Sequence, residues 1–213
     1  MSVHAATPQR ASWATQDPLL LEYYDTEWGE PVTDDRGVYE RLSLEAFQTG
    51  LSWLTVLRKR EAFREAFAGF DPERVARFTE SDVARLLSDQ RIIRNRLKIR
   101  ATITNAQATI RMSEREGPSL ARLVWSYMPV HSPAPVTDAQ VPSTSRESRE
   151  LATELRGLGF SFVGPTTVFA LMAAIGVTDT HLVRSPRRGC SGLWNIDGTR
   201  SNVPAPFAST LVE

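Results

Sequence analysis

Glu45 sits in the apolar run Leu44-Glu45-Ala46-Phe47, and Trp53 follows eight residues later. Eight residues make about two helical turns, so the carboxylate and the indole can share one face. A carboxylate among apolar neighbours accepts hydrogen bonds and attracts positive groups. An indole face stacks on a flat cation, a contact worth about 0.5–2 kcal/mol. Trp13, Tyr23 and Trp28 add three aromatic rings, and the Tyr23 hydroxyl is a further hydrogen-bonding group. These five residues predict an aromatic cage around one carboxylate, suited to a planar, positively charged ring. Plainer readings stand beside this one. Glu45 can be a half-exposed glutamate paired with Arg41 at i,i+4 spacing, and the rings can simply be core.

A second group of residues suits a polyanion. Arg91, Arg94, Arg96, Lys98 and Arg100 place five cations in ten residues with no acid among them. Together with the backbone N–H groups of a helix start, they predict phosphate contacts; the alternative is a solvated helix face. Arg58-Lys59-Arg60-Glu61 carries a compensating acid and points less clearly to phosphate. Arg184, Arg187 and Arg188 form a third basic cluster. Leu51, between the carboxylate and Trp53, is either buried or a wedge for the gap a displaced base would leave.

Helical periodicity dominates the segments that must position these groups. Val38, Leu42, Leu44, Phe47 and Leu51 mark one amphipathic helix, and Leu54, Leu57, Phe63 and Phe67 another, stopped by Gly69. Asp71-Pro72 reads as an N-cap with Pro at the first helical position. Short helices are expected at 72–78 and 80–88, a long one from about Arg94 to Glu116, and another from Leu120 to Tyr127. Residues 129–144 read as a long loop. Ser145 opens a helix ending near Gly157 or Gly159, and Thr166 or Thr167 caps a last apolar helix closed by Gly176. Few segments alternate with period two, so the fold class is all-α. The domain reading is a mobile N-terminal arm over 1–12, a helical domain over 13–189 with a hairpin near 88–97, and an extended or partly disordered tail over 190–213.

Composition bounds the rest. Of 213 residues, 41% are hydrophobic and 23% charged, an ordinary globular balance. Lys plus Arg (25) equals Asp plus Glu (25), so a nucleic-acid surface must be a local patch. The single cysteine, Cys190, excludes an internal disulfide and a multi-cysteine zinc site, and suits a reducing cytoplasm. No apolar run approaches a membrane span.

Tyr23-Tyr24-Asp25-Thr26-Glu27-Trp28-Gly29, the segment Leu44 to Trp53, Arg91 to Ile99, Val141 to Ser145 and Gly159 to Thr167 follow one another in an order and spacing that resemble the DNA-3-methyladenine glycosylase I family, over roughly residues 10–183. The resemblance implies a helix-hairpin-helix glycosylase fold with a base pocket between two helical parts, and a flipped-out base. It implies monofunctional hydrolysis of the N-glycosidic bond of 3-methyladenine, or a related N3-alkyladenine, in alkylated double-stranded DNA by a cytoplasmic monomer. In that family Glu45 matches the base-reading glutamate, and the superfamily's catalytic aspartate is dispensed with. No lysine stands out as a Schiff-base nucleophile. Arg91 stands where a hairpin glycine is usual, at a cost of roughly 1 kcal/mol or more if φ is positive. The family's zinc ligands are replaced by Ala11, Tyr24 and Ser185, with only His181 kept, so no metal or other cofactor is expected. Two alternatives remain at this level: a lesion-binding protein that has lost catalysis, and an all-α regulator reading the major groove through Arg91–Arg100.

Overall fold

The computed structural model describes residues 9–208. A 3₁₀ turn at Ser12–Thr15 leads into α1 (Pro18–Thr26) and α2 (Asp35–Gln48). There follow α3 (Trp53–Leu57), α4 (Arg60–Ala66), α5 (Pro72–Ala76), α6 (Glu80–Ser88) and α7 (Arg96–Ser113). The chain then forms α8 (Leu120–Ser126), α9 (Arg146–Gly157) and α10 (Pro165–Ala174). An isolated bridge between Trp194 and Arg200 is the strand-like pairing seen among the described residues. The all-α expectation holds.

α2 is the central element. It buries Val38, Tyr39 and every residue from Leu42 to Phe47, and packs against α3, α7, α8 and α10. Both of its ends are tied. Asp34 caps the start by accepting from the Gly37 N–H at 2.9 Å, and the Asp35 carboxylate accepts from the Ala121 N–H at 2.8 Å. At the other end Lys98, from the first turn of α7, donates through Nζ to the carbonyls of Phe47 (2.8 Å) and Thr49 (2.6 Å). A cation there satisfies carbonyls that a helix end leaves unpaired and complements its partial negative charge.

Some boundaries differ from the sequence expectation for identifiable reasons. α1 was missed, although Asp17-Pro18 carries the signal read correctly at Asp71-Pro72: the Asp17 side chain accepts from the Leu19 N–H at 2.9 Å, with Pro at the first position. The apolar segment from Leu54 to Phe67 is two helices, because Arg58 and Lys59 interrupt the α3–α4 path. α10 begins at Pro165 with Gly164 as N-cap, so neither Thr166 nor Thr167 caps it.

The expected mobile arm is corrected for its described part, residues 9–12; residues 1–8 lie outside the described residues. The Gln9 N–H donates to the Arg184 carbonyl at 3.0 Å, Arg10 forms a two-pronged pair with Asp25 at 2.8 and 2.9 Å, and Ala11 is buried. The tail is corrected likewise over 190–208. Leu193 and Trp194 are buried, Trp194 Nε1 donates to the Gly176 carbonyl at 3.3 Å, and Phe207 packs on the main core. Large apolar side chains give a segment without periodicity enough burial to order it.

Candidate active site

Glu45, Tyr23, Trp13, Trp28 and Trp53 line one cavity of about 480 Å³, bounded also by Gln16, Gln48, Ser143, Thr166, Phe169 and Thr180. That size falls within the range of small-ligand pockets, about 300–1,000 Å³. α1 brings Tyr23, the turn after it Trp28, α2 Glu45 and α3 Trp53. The rings are mutually packed: Tyr23 and Trp53 lie 5.2 Å apart between centroids, Trp13 and Trp28 5.3 Å, and Trp13 and Tyr23 6.5 Å. The cage read from the sequence therefore exists as a set. Gln16, Gln48, Ser143, Thr166 and Thr180, polar residues of the lining, were not singled out as site residues; Gln48, Ser143 and Thr166 lie in the motifs that carry the resemblance, and none has a residue type that marks a site unaided.

Glu45 is the carboxylate among the described lining residues, which include no lysine. Its side chain is 8% exposed and has no hydrogen-bond partner among the described residues. Burial pushes its pKa up to about 8, against a smaller opposing pull from Arg41. The i,i+4 pair with Arg41 is not formed. Arg41 turns away, to Glu27 at 3.2 Å and Glu40 at 3.5 Å. Tyr23 is buried too, and desolvation followed by the nearby Glu45 charge raises its pKa, so its hydroxyl keeps its proton. Trp53 Nε1 is buried without a partner among the described residues. The pocket thus holds an unspent acceptor and an unspent donor beside aromatic faces, an arrangement able to hold a planar ring by stacking, hydrogen bonding and charge.

The predicted basic surface separates into two parts. Lys98 is corrected: it is 7% exposed and committed to the end of α2, so it cannot reach phosphate. Arg91 is exposed but paired with Asp89, two residues before it, and with Glu65, and Arg100 pairs with Glu80; the two glutamates are distant in the sequence and the fold brings them in. Two first-turn N–H groups of α7, those of Leu97 and Lys98, are taken by the Asn95 side chain. Arg94 and Arg96 remain exposed, with no ion pair among the described residues. The turn between α6 and α7 does not need glycine: Arg91 is not among the non-glycine residues with positive φ, and its N–H donates to Asp89 at 2.9 Å. The expected strain is absent. Leu51 is 43% exposed just beyond α2, which removes its buried reading. Arg187 pairs with Glu30 and Arg188 lies against Asp179, so the third basic cluster is structural.

At Tyr24, Ser185 and His181, three of the four positions that the resemblance assigns to a zinc ion, the side chains make their own contacts. The Tyr24 hydroxyl and Ser185 Oγ are 2.8 Å apart, and the Tyr24 ring stacks on Trp28 at 5.3 Å and 24°. His181 Nδ1 and Asp179 Oδ1 are 2.8 Å apart, with the His181 ring edge-on to Tyr24 at 5.0 Å. Ala11 offers no ligand atom, and no group of three His, Cys, Asp or Glu side chains able to hold a metal occurs among the described residues. The residues do not fit a tetrahedral zinc ion. Cys190 is half-buried, and burial pushes its thiol up to about 11.

Fold and site together define an all-helical protein of the DNA-glycosylase kind, with a ring-sized interior pocket. The chain belongs to the methyladenine glycosylase family, whose sequence model matches residues 13–188. It is 44% identical over 179 residues to DNA-3-methyladenine glycosylase 1 of Escherichia coli (strain K12), covering 82% of this chain and 94% of that one. A crystal structure of a 3-methyladenine DNA glycosylase I superposes with a TM-score of 0.81 at 42% identity, over 84% of this chain and all of the other. A Tyr-to-Phe variant of a 3-methyladenine DNA glycosylase I in complex with 3-methyladenine gives 0.78 at 34% identity, over 84% and 96%.

The Glu45 carboxyl makes stability depend on pH in a specific direction. Its folded pKa of about 8 lies above the ordinary 4.5. Between those values the unfolded chain has released the proton and the folded chain has not, so stability falls as pH rises through the window. Glu45→Gln removes that dependence. Urea denaturation should find the variant no more stable than the native protein relative to its own baseline at pH 4.5, yet gaining by a few kcal/mol between pH 4.5 and 8.5, at about 1.4 kcal/mol per pH unit. A difference between the two proteins that does not change with pH would remove the buried-acid account.

Proposed function

We propose that this chain hydrolyses the N-glycosidic bond of 3-methyladenine, or a related N3-alkyladenine, in alkylated double-stranded DNA, as a cytoplasmic monomer without strand cleavage. The observation that carries this reading is Glu45, buried and free of hydrogen-bond partners, facing a cavity walled by Tyr23 and Trp53. Methylation at N3 makes the adenine cationic and weakens its bond to the sugar. The enzyme's task is then to select and hold the flipped base rather than to supply a strong acid. Glu45, ionised by the arriving positive charge, accepts from the base and draws it in. Trp53 and Tyr23 stack against it, with Trp13 and Trp28 behind them. As the bond breaks the sugar gains oxocarbenium character and water completes the hydrolysis. Leu51, exposed near the end of α2, fills the space the base leaves. Arg94 and Arg96 hold the backbone. Zinc has no part in this reading, since Tyr24, Ser185 and the aromatic cluster fasten the N-terminal segment in its place.

Glu45→Gln keeps the shape and removes the charge. Release of 3-methyladenine from N-methylated DNA, followed by chromatography of the freed bases, should fall roughly ten- to hundred-fold. Affinity for an abasic-site duplex should stay near normal, because that duplex presents no base. Release within twofold of native would return Glu45 to an inert buried residue and sink the proposal.

Arg94→Ala and Arg96→Ala should each weaken binding to damaged and plain duplexes alike, and reduce the slope of log K against log salt by roughly 0.9. Lys98→Ala should leave that slope unchanged and lower the melting temperature instead. A reversed pattern would place the phosphate contact at Lys98.

Purified protein should contain no stoichiometric zinc and should keep its melting temperature in the presence of a strong chelator. One tightly bound zinc per chain on metal analysis would overturn the assignment of a zinc-free fastening.

A further inference from the structure

Behind the pocket wall lies a closed set of ion pairs. Glu27, at the end of α1, receives Arg60 through two bonds of 2.7 and 2.8 Å and Arg41 at 3.2 Å. Glu40 receives Arg64 at 2.7 Å and Arg41 at 3.5 Å, and Arg64 also reaches Glu61 at 2.6 Å. Three arginines thus face three glutamates, and the set balances without Glu45. Arg41 and Arg60 are largely buried, so these pairs are only weakly screened.

Arg41 stands one turn before Glu45 on α2, the spacing at which a glutamate and an arginine ordinarily pair. Here the arginine is turned the other way. We propose that Glu27, helped by Glu40, is a positioning residue for base release: it holds Arg41 away from Glu45, leaving the Glu45 charge to be answered by the base. The proposal rests on Glu45 reading a cationic base. Without Glu27 the freed Arg41 guanidinium would be one helical turn from a buried carboxylate with no other partner. It would pair there, and the pocket would meet a cationic ring with its charge already neutralised.

Few other groups complicate this exchange. Arg41, on α2 itself, is the charged residue acting on Glu45, and Tyr23 from α1 is the titratable group beside it. Glu27 and Arg60 act on Tyr23 from behind. The lining residues of α10 (Thr166, Phe169, Ala170 and Ala173) and of α3 (Trp53 and Leu54) carry no charge. The acidity of Glu45 is therefore set by burial and by where Arg41 points.

The test measures kcat/KM for 3-methyladenine release between pH 6 and 9, which reports groups of the free enzyme. Native protein should gain activity with rising pH until Glu45 has lost its proton. Glu27→Gln should move that limb down by about one pH unit or more, as an adjacent opposite charge does to a carboxyl, and lower the plateau about tenfold. Adding Arg41→Met to Glu27→Gln should restore the plateau and move the limb back up to the native position or somewhat above it, because no guanidinium remains to occupy Glu45 or to lower its pKa. A structural role for Glu27 would lower the rate without moving the limb and would not be relieved by the second change; that result overturns the proposal. Should Glu27→Gln not fold, Glu40→Gln frees Arg41 from its other partner, and the limb should move the same way by less; an unmoved limb overturns it equally. Glu45→Gln in the same assay separates the two levels. Normal release there defeats the base-reading role itself, whereas defective release there with a native profile for Glu27→Gln defeats only the positioning role.

Discussion

Burying a carboxylate without a hydrogen bond is expensive, and Glu45, largely buried at the pocket wall, makes none among the described residues. Desolvation favours the protonated acid and pushes its pKa up to about 8. The molecule also needs a helix that cannot rotate the side chain out. α2 meets that need because its flanks bury Val38, Tyr39, Leu42, Leu44 and Phe47, the Tyr39 hydroxyl is tied to the Thr102 carbonyl at 2.9 Å, and Lys98 closes its far end. The cost of one unpaired acid is thus met by a large apolar interface, the arrangement by which an unfavourable functional group persists in a marginally stable fold.

The pocket also depends on the meeting of residues 9–29 with residues 174–185 beside it. Trp13 and Trp28 can wall it only if the N-terminal segment is fixed against the C-terminal one. Contacts across more than 140 residues do this: Gln9 with Arg184, Tyr24 with Ser185, and the Gly29 N–H with the Ala174 carbonyl at 3.0 Å. Gly29 and Gly176 make the approach possible: both have positive φ, a Cβ on Gly29 would come within 2.7 Å of His181, and one on Gly176 within 2.6 Å of the Gly29 carbonyl. Each hydrogen bond contributes about 1 kcal/mol. The Trp28 and Tyr24 rings stack, with His181 edge-on to both, and add burial to this apolar and hydrogen-bonded fastening.

How much of this was legible follows from the range of the interactions involved. The helical class comes from local periodicity and was readable. Glu45 and Trp53 do line one cavity, but not through the two-turn spacing that suggested it: α2 ends at Gln48 and α3 begins at Trp53, so the break over 49–52 sets their approach. The aromatic cage was readable as a list of residues, and its existence as one cavity needed the fold. Lys98 shows the opposite case. In the sequence it is one of five cations in a row, and only packing reveals that its partners are the carbonyls of Phe47 and Thr49, about fifty residues away. Arg91 and Arg100 were misjudged for the same reason, since Glu65 and Glu80 reach them through space. The N-terminal arm and the tail lack periodicity, and what orders them is contact with distant parts of the chain.

The raised pKa of Glu45 bears on the proposed selection between bases. At pH 7 ionising an acid with a pKa of about 8 costs about 1.4 kcal/mol. A positive ring at about 4 Å returns roughly 4 kcal/mol at an effective dielectric of 20. On the proposed reading the gain exceeds the cost, so a cationic base entering the pocket favours the carboxylate that holds it, the proton passing to water. A neutral adenine returns little of that energy and meets a protonated acid instead. An ordinary surface glutamate, ionised at all times and surrounded by water, would attract any cation weakly and distinguish little. On that reading, burial makes the same side chain a group whose charge near neutral pH is favoured by the arriving ring, and the turning of Arg41 toward Glu27 keeps that charge unclaimed until then.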